Sequence, residues 1–208
     1  MDWVGFSNLS KFERIQLLQE YGLNTPDYIF FKRRDLAAIN TFLDNVHWAM
    51  DKRVSLRFFA DEDTLVGSQP HTPNVSWWDA RNLLYLHNND YDIMLSATGI
   101  NPKDTIICGN LMMQAHGING YGIAIFEYRE GPGTVRDVQH DCVSLTCNLH
   151  ECPKDVTGRF MLPLAQAKKN ALRFPLWNKV IFEWAYYPYP IGAKKNRLIF
   201  WEVRRKQQ

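Results

Sequence analysis

The chain has 208 residues, of which 46% are hydrophobic and 22% are charged, and its formal net charge is +2. This composition is typical of a globular protein, and the near-balanced charge gives no indication of binding to nucleic acid or to an anionic membrane. No apolar run approaches the roughly 20 residues of a membrane-spanning helix. We therefore expect a cytoplasmic protein of one domain, residues 1–208, with room for two lobes at about 1–100 and 101–208.

The first part of the chain predicts the order helix, strand, helix, strand. Apolar residues recur near a 3.6-residue period from Ser10 to Tyr21, and Gly22 supplies a stop for this helix. Residues 28–31 form a short run of strand-favouring residues, and Asp35 is placed to cap a second helix. Residues 53–59 alternate in the manner of a strand.

The later elements predict an α+β fold. Residues 61–74 contain charges, glycine and two prolines, and we expect a long loop there that could act as a lid. Ser76 and Asp79 have the spacing of a helix start. The remaining predicted elements are strands at 91–97, 105–113, 121–128, 134–147, 180–187 and 197–204, and a helix at 162–172. Because no strict strand–helix repeat is present, we expect largely antiparallel sheets with flanking helices.

Four features of the chain occur in a characteristic order. They are Lys11 with the turn at 22–26, the segment Val54-Ser55-Leu56-Arg57, the apolar strand pair at 105–113 and 121–128, and Phe182-Glu183-Trp184-Ala185 followed by the strand at 198–204. In this order they resemble the ATP-grasp nucleotide-binding domain that opens phosphoenolpyruvate synthase and pyruvate phosphate dikinase. The apolar strand pair would correspond to the adenine side of that domain.

The resemblance implies a set of site residues. Lys11, Arg57 and Arg204 would contact the phosphates of ATP, and Glu183 with Glu202 would hold Mg²⁺, which prefers carboxylate and phosphate oxygens. The chain departs from the family by lacking glycines around Lys11 and by carrying Glu202 in place of a glutamine. The implied chemistry is phosphoryl transfer or ATP-driven ligation, by a ligase or transferase, on an unknown acceptor.

Other interpretations of the same residues stay open. The domain could be a catalytically degenerate binding or regulatory module, or the basic segment 194–197 and the C-terminal tail could bind nucleic acid. Each site residue also has an ordinary surface interpretation: Glu183 and Glu202 in salt bridges to Arg204 or Lys194, Arg57 paired with Asp61 or Glu62, Lys11 exposed in a first helical turn, and Arg204 in a basic tail. The oligomeric state is not predicted.

A second group of residues could bind zinc. His140, Cys142, Cys147, His150 and Cys152 supply soft ligands, but their spacing is not that of paired Cys-x2-Cys motifs. Reduced cysteines often serve as small apolar residues, and we expect no metal here that folding requires. The histidine of Pro70-His71-Thr72-Pro73 could carry a proton from a loop, or could be merely exposed.

Overall fold

The chain folds into two antiparallel sheets with helices packed against them, in a computed structural model that describes residues 2–46, 53–60, 71–96, 100, 102–116, 120–133, 142–154, 158 and 160–206. The helices within these ranges are α1 (Trp3–Ser7), α2 (Lys11–Glu20), α3 (Leu36–Asn45), α4 (Trp77–His87) and α5 (Met161–Ala171). The strands are β1 (Tyr28–Phe31), β2 (Arg53–Phe59), β3 (His71–Ser76), β4 (Asp92–Ser96), β5 (Ile107–Gln114), β6 (Ile123–Glu130), β7 (Val143–Asn148), β8 (Val180–Ile191) and β9 (Asn196–Arg205). The predicted α+β class is confirmed.

The smaller sheet has the strand order β1-β4-β2-β3 and is covered on one face by α3 and α4. Ile39 of α3 and Trp77 of α4 lie in one apolar cluster with the alternate residues Val54, Leu56 and Phe58 of β2. The period-2 alternation of β2 therefore sends Arg57 to the opposite face.

The larger sheet has the strand order β7-β6-β5-β8-β9. One face joins the helices in the main core, where Phe182 and Trp184 of β8 pack with Phe126, Leu164 and Phe174. The residues between these core positions, including Glu183, lie on the other face. That second face holds the candidate site described below.

Helix α2 joins the two sheets because its apolar residues point in two directions. Phe12 and Ile15 cluster with residues of the smaller sheet, whereas Leu17 and Leu18 belong to the core of the larger one. The helix begins with a capping box in which Ser10 and Glu13 bond each other's backbone N–H groups. Its first residue, Lys11, is thereby placed where both sheets approach.

The segment after α2 is docked on the hairpin of β8 and β9. The side-chain amide of Asn24 donates to the carbonyl oxygens of Ile191, Asn196 and Leu198 at 3.0, 3.2 and 2.7 Å, and its oxygen accepts from the backbone N–H of Lys194 at 2.7 Å. Gly192 permits this close approach, because a Cβ there would lie 2.3 Å from the carbonyl oxygen of Thr25. These contacts fix the larger sheet relative to α2.

One prediction about local structure was wrong, and one short helix was not predicted. The predicted loop at 61–74 ends in a strand, since β3 pairs with β2 and includes His71, while residues 61–70 lie outside the described part of the chain. Pro73 favoured the loop prediction, because proline is rare within strands. Proline is tolerated on the edge strand of a sheet, where its missing N–H faces away from the neighbouring strand. Helix α1 was not predicted, because five residues are too few to show a period.

No helix within the described ranges has the length and apolar character needed to cross a bilayer.

Candidate functional site

A row of polar side chains crosses the larger sheet on the face opposite its core. The strand register aligns Glu127 of β6, Asn110 of β5, Glu183 of β8 and Glu202 of β9, one beside the next. Directly opposite residues of antiparallel strands share a face and lie about 5 Å apart at Cβ. The two glutamates proposed from the sequence are therefore immediate neighbours.

An irregularity in β9 puts Glu202 on this face. Glu183 pairs with Glu202, but the next pair is Trp184 with Phe200, so Trp201 is an additional residue in the ladder. Without this bulge, the alternation of β9 would turn Glu202 to the core face. Arg204, two residues further, is aligned with Ile181 and shares the face of Glu202.

Glu183 is held in a largely desolvated position. Its Oε1 lies 3.3 Å from Nε of Arg204, and its side chain is 23% exposed. Burial raises the pKa of the Glu183 carboxyl, and the neighbouring Glu202 raises this pKa further, while Arg204, Lys11 and Arg57 act in the opposite direction. The charged form of Glu183 is thus stabilised by cations but is costly in the ligand-free protein.

Glu202 is paired with the residue that opens α2. Its Oε2 lies 2.7 Å from Nζ of Lys11, and the two side chains are 10% and 33% exposed. This ion pair links the first residue of α2 to β9 of the larger sheet. One interpretation of the sequence had Lys11 exposed in a first helical turn. Lys11 does begin α2, but its ammonium group is paired with Glu202.

Arg57 completes the group from the smaller sheet. It lies on β2 beside Met94 of β4, on the face turned to α2, and its charge acts on the carboxyl of Glu183. Its alternative partners, Asp61 and Glu62, lie outside the described residues. The structure therefore brings together all five residues that the sequence singled out: Lys11, Arg57, Glu183, Glu202 and Arg204.

One further polar residue of the site was missed by sequence reasoning. Asn110 is buried, and its side-chain oxygen accepts a hydrogen bond from Nη2 of Arg204 at 3.3 Å. It also lines a small cavity of about 50 Å³ with the apolar residues Met112, Ile125 and Ile181. An amide within the apolar strand β5 was the available signal, because buried polar side chains need partners.

The arrangement is suited to an anion accompanied by a hard cation. Two adjacent carboxylates and an amide are oxygen donors of the kind that Mg²⁺ takes, and the repulsion between Glu183 and Glu202 would be relieved by a divalent ion. Three cationic side chains stand around these carboxylates and can contact phosphate oxygens. The residues present therefore fit a magnesium–polyphosphate pair.

A larger cavity of about 290 Å³ adjoins Lys11. Its charged lining residues are Lys11, Glu13, Lys32, Asp92 and Arg205, and Lys32 pairs with both acids at 3.7 and 3.6 Å. The charges inside this cavity are therefore largely matched with each other. Its position places space for a second ligand beside the cluster of site residues.

The residues that could bind zinc are only partly described. His140 lies outside the described ranges, Cys142 and Cys152 are exposed, and Cys142, Cys147 and Cys152 form no disulfide within the described residues. Burial raises the pKa of the Cys147 thiol, and the charge of Lys168 opposes that shift. Within the described residues, no three histidine, cysteine or acidic side chains are grouped as metal ligands would be.

The basic hairpin tip makes contacts within its own hairpin. Arg197 donates from Nε to the carbonyl oxygen of Tyr187 at 2.8 Å, and its guanidinium lies 4.7 Å from the ring centroid of Tyr186. Lys194 is bonded through its backbone to Asn24. The nucleic-acid interpretation of this tip therefore gains no support from its geometry.

Comparisons with known proteins give likeness in structure only. No protein-family model matches the chain, and no curated protein matches it. The solved structures to which it is similar include N5-carboxyaminoimidazole synthetase from Staphylococcus aureus, with 11% identity over 97% of this chain and 45% of that one, and a TM-score of 0.49. D-cycloserine synthetase DcsG matches with 13% identity over 99% of this chain and 64% of that one, at a TM-score of 0.47.

A third similar structure is that of the ATP-grasp ligase PsnB, complexed with precursor peptide PsnA2 and AMPPNP. Its identity to this chain is 11%, over 99% of this chain and 53% of that one, and the TM-score is 0.45. The proteins to which this chain is similar thus include an ATP-grasp ligase, and the chain spans 45%, 64% and 53% of these three proteins.

Proposed function

We propose that this chain binds ATP with Mg²⁺ on the polar face of the larger sheet, beneath α2 and the smaller sheet. Glu183 and Glu202 are the metal ligands, and Lys11, Arg57 and Arg204 contact the phosphates. The observation that supports this is the meeting of three cations and two adjacent carboxylates from α2, β2, β8 and β9 at one place. This charge arrangement, and not the distant likenesses in fold, supports the proposal.

The two ion pairs explain how such a charged site is maintained without ligand. Lys11 neutralises Glu202, and Arg204 neutralises Glu183. Glu183 and Glu202 would hold the metal of Mg·ATP, and Lys11 and Arg204 would then contact phosphate oxygens in place of these carboxylates. Because these four charges have partners before and after binding, neither state leaves one of them uncompensated.

The neighbouring apolar surface gives a place for the base. Met112, Ile125 and Ile181 lie next to the row of polar residues and border the small cavity. A purine ring can pack on such side chains while its phosphates reach Arg204 and Lys11. The sequence suggested this use for the strand pair, and the position of the pair beside the charged residues supports the proposal.

The chemistry proposed for the site is phosphoryl transfer or ATP-driven ligation on an acceptor that we do not name. Catalysis of this kind depends mainly on positioning the phosphates and neutralising the charge that develops on them. Lys11, Arg57 and Arg204 would perform the neutralisation, and Mg²⁺ held by Glu183 and Glu202 would supply additional positive charge.

The test is a calorimetric titration of ATP with and without Mg²⁺, accompanied by thermal unfolding. A ligand present at about 100 times its Kd stabilises the folded state by about 2.7 kcal/mol. We expect such stabilisation in wild type with Mg·ATP and at least a tenfold weaker affinity in Arg57→Met. Lys195→Met makes the same charge change at the exposed hairpin tip and serves as the control.

Two results would contradict the proposal. One is the absence of heat and of a thermal shift at millimolar Mg·ATP. The other is an equal loss of affinity in Arg57→Met and Lys195→Met, which would indicate a general effect of net charge. A chain that binds Mg·ATP but releases no ADP when amine or carboxylate acceptors are supplied would be a binding module and not an enzyme.

A further inference from the structure

Tyr28 has a buried hydroxyl group that no described residue satisfies. The residue is 9% exposed, and its hydroxyl oxygen has no hydrogen-bond partner within the described part of the chain. An unpaired buried hydroxyl costs about 1–3 kcal/mol, so native proteins seldom retain one without a use. Phenylalanine would pack at this position without that cost.

The register of the smaller sheet directs Tyr28 toward the candidate site. Tyr28 is aligned with Ser96, and its neighbour on the same face, Phe30, is aligned with Met94, which is in turn aligned with Arg57. Tyr28 therefore shares a face with Arg57, turned toward α2. Its ring packs edge-on against Phe30 at 6.0 Å, in the cluster with Phe12 and Ile15.

The charged residues that act on the Tyr28 hydroxyl, Arg57 and Glu202, belong to the candidate site. Burial raises the pKa of Tyr28 to about 12, Arg57 opposes this shift, and Glu202 adds to it. The group is thus protonated at neutral pH and is able to donate a hydrogen bond. It is an uncharged donor near the charges of Arg57 and Glu202.

We propose that Tyr28 is a further ligand-contacting residue, whose hydroxyl donates a hydrogen bond to a phosphate oxygen of the bound nucleotide. This inference rests on the proposed function. Phosphate is the ligand group that the position favours, because the hydroxyl needs an acceptor and Arg57, on the same face of the sheet, attracts an anion. The bond would satisfy the hydroxyl only in the bound state, which accounts for a donor retained in an apolar cluster.

The experiment compares wild type with Tyr28→Phe by calorimetric titration of Mg·ATP, inorganic tripolyphosphate with Mg²⁺, and adenosine. Loss of one hydrogen bond should raise the Kd for Mg·ATP and for tripolyphosphate by about 3- to 10-fold and leave adenosine unchanged. The ligand-free variant should be at least as stable as wild type, because no internal bond is lost. A purely structural hydroxyl would give lower stability and no ligand selectivity.

Tyr186→Phe is the matched control, since Tyr186 is a buried tyrosine on the core face of the larger sheet. We expect it to leave all three affinities unchanged. Equal Mg·ATP affinity in wild type and Tyr28→Phe would overturn the inference while leaving the proposed function intact. A wild-type chain that binds neither Mg·ATP nor tripolyphosphate would overturn both. Loss of stability in the ligand-free Tyr28→Phe protein would also overturn it, by showing an internal partner.

Discussion

Replacing Glu183 with glutamine tests how the two carboxylates of the site interact. Glu183 and Glu202 are directly opposite each other on β8 and β9, and the Glu183 side chain is 23% exposed. Glutamine has nearly the same shape, so the change removes one negative charge and little else. We expect the ligand-free variant to be more stable than wild type and its ATP binding to depend less on Mg²⁺.

The magnitude follows from the separation of the charges. Two unit charges about 5 Å apart repel by about 3 kcal/mol at an effective dielectric constant of about 20. Arg204, 3.3 Å from Glu183, and Lys11, 2.7 Å from Glu202, offset most of this repulsion. We therefore expect Glu183→Gln to stabilise the ligand-free protein by about 1 kcal/mol at neutral pH, because glutamine also avoids the desolvation of a charge.

The gain should depend on pH in a defined direction. The folded-state pKa of Glu183 is raised above its ordinary value of 4.5, with burial the largest cause and Glu202 the next. Its charge therefore destabilises the fold above the folded-state pKa, and the penalty disappears as pH falls from that pKa toward 4.5. The stability difference between Glu183→Gln and wild type should shrink over the same interval.

The assay is chemical unfolding of both proteins between neutral pH and pH 4.5, followed by ATP titration with and without Mg²⁺. Loss of one carboxylate ligand should reduce the Mg²⁺ enhancement of ATP affinity by about tenfold or more. Glu127→Gln is the control, since Glu127 is an exposed carboxylate in the same row. A pH-independent stability difference, together with an unchanged Mg²⁺ enhancement, would refute the reasoning and remove Glu183 from the site.

Two predictions concern the framework around the site. Asn24→Ala should lower the free energy of unfolding by about 2–4 kcal/mol, because three carbonyl groups of the β8–β9 hairpin lose their donor. In Asn45→Ala the lost bond is an exposed one within α3, so a loss as large as that of Asn24→Ala would contradict the assignment. Lys168→Met should cost about 2–4 kcal/mol, because the buried ammonium group donates to the carbonyl oxygens of Asn148, Leu149 and Glu151. Lys169 is the exposed neighbour, and Lys169→Met should leave the free energy of unfolding nearly unchanged. Equal effects of the two substitutions in denaturant unfolding would contradict the proposed contribution of the Lys168 hydrogen bonds.

Local sequence signals predicted most of the individual elements. The apolar period of α2 and the stop at Gly22 agree with the structure, in which Gly22 has a φ of 77°. The alternation of β2 correctly placed Val54, Leu56 and Phe58 on the face opposite Arg57. These features depend on residues a few positions apart, so the sequence carries them directly.

The site residues were selected from the sequence by an ordered resemblance, without any knowledge of their distances. That order contained Lys11, Arg57, Glu183, Glu202 and Arg204, and the structure places these residues in one group. Asn110 was not selected although it is an amide within an apolar strand, and Tyr28 was not selected because nothing in β1 alone shows which residues lie across from it. The roles of Lys11, Arg57, Glu183, Glu202 and Arg204 as ligands of ATP and Mg²⁺ remain predictions.

The tertiary structure decided which face each carboxylate occupies. The bulge at Trp201 moves Glu202 beside Glu183, and the docking of Asn24 on the β8–β9 hairpin brings Lys11 to Glu202. β3 likewise became a strand only through pairing with β2. Amphipathic periods and caps are encoded within a few neighbouring residues. Strand register, bulges and contacts between sheets depend on residues far apart in the chain, such as Asn24 and Leu198, which are 174 positions apart.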